Sequence, residues 1–127
     1  MSAHVHVIVA DDEILVATTV ADILEEAGYR VTVTHNGLEA LEAERRDPAD
    51  LLLTDLRMPR LDGIALIGRI RVQRPDLPIV VMTGYSESLP TAEPGRLVIL
   101  RKPFAPGAVV ETIRSLLGPA SGPNPAR

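Results

Sequence analysis

Apolar and polar positions along the chain fall into short apolar runs separated by stretches with helical spacing. Val5 to Ala10 (VHVIVA) is rich in β-branched residues and predicts a strand. Ile14, Leu15, Ala17, Ala21, Leu24 and Ala27 then follow a helical period, and Gly28 supplies the stop. Arg30 to Thr34 (RVTVT) alternates as a strand does, and Gly37 to Arg46 predicts a helix with Leu38 and Leu41 on one face. Leu51 to Thr54 is a third strand. Asp62 is placed to cap a helix that runs through Gln73, with Ile64, Ile67 and Ile70 facing inward. Ile79 to Thr83 (IVVMT) and Leu97 to Arg101 (LVILR) predict two more strands. A last helix spans Pro106 to Leu117, with Val109, Val110, Ile113, Leu116 and Leu117 in one stripe. Between Thr83 and Leu97 there is no apolar helical stripe, and Pro90, Pro94 and Gly95 interrupt the segment. Any helix there is expected to be short or irregular.

Strands alternating with helices imply an α/β fold, a parallel sheet covered on both faces. Crossovers between parallel strands are right-handed, so all strands end on one edge of the sheet. That rule gathers residues far apart in the chain. Asp11 and Asp12 follow the first strand, Asp55 the third, Thr83 ends the fourth and Lys102 follows the fifth. Ligands of open α/β sheets bind beyond these carboxyl ends.

Three carboxylates at one edge repel each other unless a cation joins them. Mg²⁺, a hard ion taking oxygen ligands, suits such a group. Asp55 could then act as a nucleophile and form an aspartyl phosphate. Lys102 and Thr83 would neutralise charge on the transferring group, and Gly84 would leave the approach open. Each residue also has an ordinary reading. Asp12 alone reads as a helix N-cap, Asp55 as a turn residue, Thr83-Gly84 as a turn and Lys102 as a solvated lysine. The required chemistry at all of these strand ends, in this order, favours the joint reading.

Composition narrows the picture further. The chain has 127 residues, 46% hydrophobic and 24% charged, which suits one soluble domain with an aliphatic core. There is no cysteine, which excludes disulfides and thiolate chemistry. The net charge of -4 and the lack of a basic run argue against direct nucleic-acid binding. No apolar run is long enough to span a bilayer, and the N-terminus lacks a signal peptide's basic start, so a cytoplasmic location is expected. His4, His6 and His35 are expected at the edge or surface, because no third ligand joins the first two. Arg69, Arg71 and Arg74 are expected on a solvated helix face. Ser86 and Ser88 have no His-Asp relay, and no Gly-rich phosphate loop occurs. The tail GPASGPNPAR, residues 118–127, reads as a disordered end or linker.

The runs VIVADDE, LLLTDLRMPRLDG, PIVVMTGYS and LVILRKPF together resemble the receiver domain of two-component response regulators. The resemblance covers about residues 5 to 117, so residues 1–117 are expected to form the receiver. It implies a flavodoxin-like, doubly wound five-stranded parallel sheet of order 2-1-3-4-5. It also implies that Asp55 is the phosphoacceptor, that Asp11 and Asp12 form the acidic pair, and that Asp12, Asp55 and the backbone carbonyl of Arg57 ligate Mg²⁺. Thr83, Gly84 and Lys102 would contact the phosphoryl group, and Lys102-Pro103 would be a cis peptide. The donor would be a histidine kinase or histidine phosphotransfer protein. The output partner would be a protein, with a phosphorylation-dependent dimer as a further association.

The departures from the family pattern are specific. Ile99 stands where receivers commonly carry an aromatic switch residue, three positions before the lysine. Arg57 and Tyr85 would flank the phosphoryl group, where bulk or charge can steer water. The chain resembles receivers with a TGY motif and a reduced helix before the fifth strand, and segment 84–96 is expected to reorder on phosphorylation. Residues 118–127 are too few for an effector domain, so a stand-alone receiver or one excised from a longer chain is expected. Two rivals stand beside this reading: a Mg²⁺-dependent phosphohydrolase with an aspartyl nucleophile, and a receiver-like scaffold that is never phosphorylated. The first is disfavoured because no DxDxT run follows the first strand, the second because the Asp and Lys set is intact.

Overall fold

The computed structural model describes residues 4–84, 90, 93 and 96–117. Its elements run β1 His6–Ala10, α1 Ile14–Glu26, β2 Arg30–Thr34, α2 Gly37–Arg46, β3 Leu51–Asp55, α3 Gly63–Gln73, β4 Ile79–Thr83, β5 Leu97–Arg101 and α4 Pro106–Leu117. The strands pair in parallel in the order β2-β1-β3-β4-β5. This is the flavodoxin-like order 2-1-3-4-5, with β1 and β3 as neighbours.

The three inner strands are buried along their whole length, which is why they read as continuous apolar runs. Their side chains alternate between two cores. Val7, Val9, Leu51, Leu53, Val80 and Met82 pack with Ala17, Val20 and Leu24 of α1 and Val109 and Ile113 of α4. Ile8, Ala10, Leu52, Ile79 and Val81 pack with Ala40 of α2 and Leu66, Ile67 and Ile70 of α3. A one-residue slip of any inner strand would exchange its two faces, so the register is tightly specified.

Caps and close approaches set the helix starts. Asp62 accepts from the Ala65 amide at 2.9 Å, the cap expected from sequence. Asn36 caps α2 by accepting from the Glu39 amide at 2.9 Å, and Glu39 in turn accepts from the His35 amide at 2.8 Å. The first residues of α2 and α3 are glycines of necessity. A Cβ on Gly37 would lie 2.2 Å from the Leu61 carbonyl oxygen, and one on Gly63 would lie 2.2 Å from the Asp55 carbonyl oxygen. Gly28, after α1, takes φ 102, which favours glycine.

Several expectations need correction. Ile14 and Leu15 are 65% and 82% exposed, because the first turn of α1 leaves directly from the end of β1 and overhangs the sheet. Ile64 is exposed, and Leu66 takes the inward place; the two differ by roughly 200° around the helix. Leu38 is exposed, since α2 meets the core through Gly37 and Ala40. β3 extends one residue further than expected and includes Asp55.

The polar corrections are larger. His6 is 1% exposed rather than at the surface, because β1 is an inner strand. Its Nδ1 donates to the Pro48 carbonyl at 3.1 Å, which leaves Nε2 beside the Thr32 hydroxyl at 2.7 Å. His35 is half-buried, with Nδ1 3.1 Å from the Asp11 carbonyl oxygen. Arg71 and Arg74 are not a solvated face. Arg71 pairs with Glu93 at 3.0 Å and donates to the Leu77 carbonyl at 2.5 Å. Arg74 pairs with Glu44 at 2.7 Å and donates to the Ala49 carbonyl at 2.6 Å. These arginines lock the end of α3 to its neighbours through backbone acceptors that sequence periodicity does not register.

Among the described residues no helix lies between β4 and β5. Most of the segment expected to reorder, Tyr85, Ser86 and Ser88 among it, lies outside the described residues, as does the tail 118–127.

Candidate functional site

The carboxyl ends of β1, β3 and β4 and the turn after β5 meet at one edge of the sheet. Asp11 leaves β1 with its amide donating to the Thr34 carbonyl at 3.1 Å, which continues the pairing with β2. Its buried side chain then turns back: Oδ1 accepts from the Glu13 amide at 2.9 Å. That bond fixes the sharp exit into α1 and leaves Asp12 exposed at the surface of the turn. Glu13, not Asp12, stands at the N-cap, and its side chain makes no cap bond.

Asp55 ends β3 almost fully buried. Its Oδ1 accepts from the Leu56 amide at 2.7 Å, and its main-chain carbonyl accepts from the Thr54 hydroxyl at 2.8 Å. The Gly63 amide donates to the Leu56 carbonyl at 2.8 Å, so the start of α3 closes against the strand end. Thr83 is buried at the end of β4, and its carbonyl accepts from the Lys102 amide at 2.9 Å. The Lys102-Pro103 peptide is cis.

Lys102 ties these pieces together. Its Nζ lies 3.2 Å from Asp11 Oδ2, 3.4 Å from Asp55 Oδ2 and 3.6 Å from Glu13 Oε1. Burial by itself would lower the lysine pKa, but the Asp11 and Asp55 carboxylates outweigh it and raise the value above 10.5. Asp11 titrates above its ordinary 3.8 because burial penalises the anion more than the Glu13 amide and Lys102 stabilise it. The unmodified site thus holds an excess of carboxylates around one ammonium.

Oxygen atoms of Asp11, Asp12 and Asp55 all lie within 4.8 Å of one another, a group that could hold a metal ion. Asp12 and Asp55 border a cavity of about 450 Å³ that Glu13, Arg57, Gly84 and Lys102 also line. All-oxygen donors with room for water suit Mg²⁺ better than a softer metal. A methyl on Gly84 would meet nothing nearer than Lys102 Cβ at 3.9 Å, so packing alone does not demand glycine there. Ile99 sits in β5 half-buried against the core that holds Ile8 and Leu52.

The response regulator receiver domain family matches residues 7–114. The chain belongs to that family. Receivers of this kind occur in the Mycobacterium ulcerans response regulator MprA, 37% identical over 116 residues, which are 89% of this chain and 50% of that protein. The Klebsiella oxytoca transcriptional regulatory protein ZraR is 41% identical over 104 residues, 79% of this chain and 23% of that protein. The chain therefore spans half or less of these curated relatives. The chemotaxis response regulator CheY4 of Vibrio cholerae superposes with a TM-score of 0.78 at 26% identity, covering 91% of this chain and all of that one. The receiver domain of NtrX from Brucella abortus gives 0.78 at 29% identity, covering 87% and 97%. As a receiver, the chain is a signalling domain. Among its described residues no helix is long and apolar enough to cross a membrane.

Two residues at the receiver's site escaped sequence reasoning. Glu13 directly follows the acidic pair, and reading ADDE as a unit would have flagged it. His35 follows β2, so the rule that strand ends converge applied to it as well.

Proposed function

We propose that this receiver accepts a phosphoryl group onto Asp55 from the phosphohistidine of a histidine kinase or histidine phosphotransfer protein. A carboxylate oxygen of Asp55 bonds to phosphorus as the phosphorus–nitrogen bond to the donor breaks, and that electron pair returns to the imidazole. Asp11, Asp12, Asp55 and the backbone carbonyl of Arg57 would hold Mg²⁺. When bound, the ion supplies positive charge to the phosphoryl oxygens. Lys102 exchanges part of its contact with the carboxylates for the phosphoryl group, while Thr83 at the end of β4 and Gly84 just after it face the group. Arg57, Tyr85 and Ile99 are the positions that tune access and switching. The observation that carries this reading is the single Lys102 ammonium held between the Asp11 and Asp55 carboxylates, brought from separate strand ends.

The domain catalyses only its own phosphorylation and dephosphorylation, in the cytoplasm. Its output passes from Thr83 to the face formed by β5 and α4, read by a protein partner or by a second copy of the receiver. The test is transfer of labelled phosphate from an autophosphorylated histidine kinase in the presence of Mg²⁺. Base-labile label is expected on the wild type and none on Asp55→Asn; equal labelling of both would move the acceptor elsewhere.

A further inference from the structure

Glu13 is held less firmly than the other two carboxylates around Lys102, since Asp11 and Asp55 each accept from a backbone amide. It stands at the N-cap of α1, but its side chain makes no cap bond. It is 64% exposed, lines the cavity beside Asp55, and places Oε1 3.6 Å from Lys102 Nζ. Asp11 differs in every respect: it is fully buried, bonded to the Glu13 amide, and 3.2 Å from the same ammonium. Lys102 thus has a permanent partner in Asp11 and a loosely held one in Glu13.

We propose that Glu13 is a specificity-determining residue that discriminates against small, doubly charged phosphoryl donors. The inference rests on the reading of Asp55 as the acceptor. An incoming acyl phosphate dianion must approach through the cavity that Glu13 lines, and it must draw on the ammonium that Glu13 contacts. Glu13 repels the donor and competes for Lys102 at once. Transfer itself forms a bond from an Asp55 oxygen to phosphorus and releases the donor's carboxylate with the electron pair. Glu13 takes no part in those bonds. A protein donor can offset the repulsion with contacts outside the cavity, which a free small molecule lacks.

The experiment follows phosphorylation of the wild type and Glu13→Gln at saturating Mg²⁺, by intact mass, with acetyl phosphate and with the less charged phosphoramidate. Exposed ion pairs are worth a few tenths to one kcal/mol, so the Gln variant should react about two- to five-fold faster with acetyl phosphate. The advantage should shrink as salt is raised and be smaller with phosphoramidate. A structural role would move neither dependence. An unchanged or slower reaction with acetyl phosphate, or a gain independent of salt and donor charge, overturns the inference. If the wild type itself gains no phosphoryl group, the reading of Asp55 fails instead.

Discussion

Gly63 and Gly68 lie five residues apart on α3, yet alanine should act on them in opposite directions. A Cβ on Gly63 would fall 2.2 Å from the Asp55 carbonyl oxygen and 2.8 Å from Leu56 Cα, both backbone atoms that cannot rotate away. The contact must open by about 1 Å or more to reach an ordinary separation. Overpacking of this kind costs about 1–3 kcal/mol. At Gly68, which is exposed in mid-helix, an added Cβ meets nothing within 4 Å. There alanine should stabilise by roughly 0.5–1 kcal/mol through helix propensity. Urea unfolding of the two variants reads the difference directly, provided the denaturant slopes match the wild type. Gly63→Ala should also slow phosphorylation by up to ~10²-fold, because the strand end it displaces carries the nucleophile. If Gly63→Ala is as stable and reactive as the wild type, the close packing of α3 on the Asp55 backbone does not position the site.

Three further outcomes follow from the same geometry. Mg²⁺ should raise the thermal midpoint, with about 2.7 kcal/mol of stabilisation at a hundred times its dissociation constant. Asp12→Asn should reduce that gain, and equal gains in both proteins would argue that the carboxylate group is not the metal site. His6→Leu removes a partner from the Pro48 carbonyl and the Thr32 hydroxyl, both still reachable by water, and should cost about 0.5–1.5 kcal/mol per bond in urea unfolding, where a neutral result would show that the bonds carry no weight. The raised lysine pKa sets a pH window. Stability from Lys102 is fully present below its unfolded value of 10.5 and is lost as pH rises through the higher folded value. The wild-type midpoint should therefore fall more steeply than that of Lys102→Gln in that range, and parallel curves would exclude the coupling.

Much of this receiver was legible because parallel sheets expose their logic in sequence. Inner strands buried on both faces appear as runs such as IVVMT, and the rule that strand ends converge gathers Asp11, Asp55, Thr83 and Lys102 at one edge from the sequence. Side chains whose roles depend on distant backbone were not legible. His6 looked like a surface residue because alternation with His4 resembles an edge strand, whereas its partners Pro48 and Thr32 come from segments far along the chain. Arg71 and Arg74 follow a polar helical face, but the carbonyls of Leu77 and Ala49 that hold them carry no side-chain signal. Ile14 and Ile64 show the converse: helical periodicity places a residue on a face but does not say how far the sheet reaches beneath it. The apolar count alone could not separate them from Ala17 and Leu66, which are fully buried.

The most direct test of the account is the intact mass of the protein after incubation with acetyl phosphate and Mg²⁺. One phosphoryl group should appear on the wild type, vanish when Mg²⁺ is chelated beforehand, and be absent from Asp55→Asn. A full phosphoryl gain on Asp55→Asn, or no gain on the wild type under any donor, would contradict the claim that these strand ends build a phosphoacceptor site.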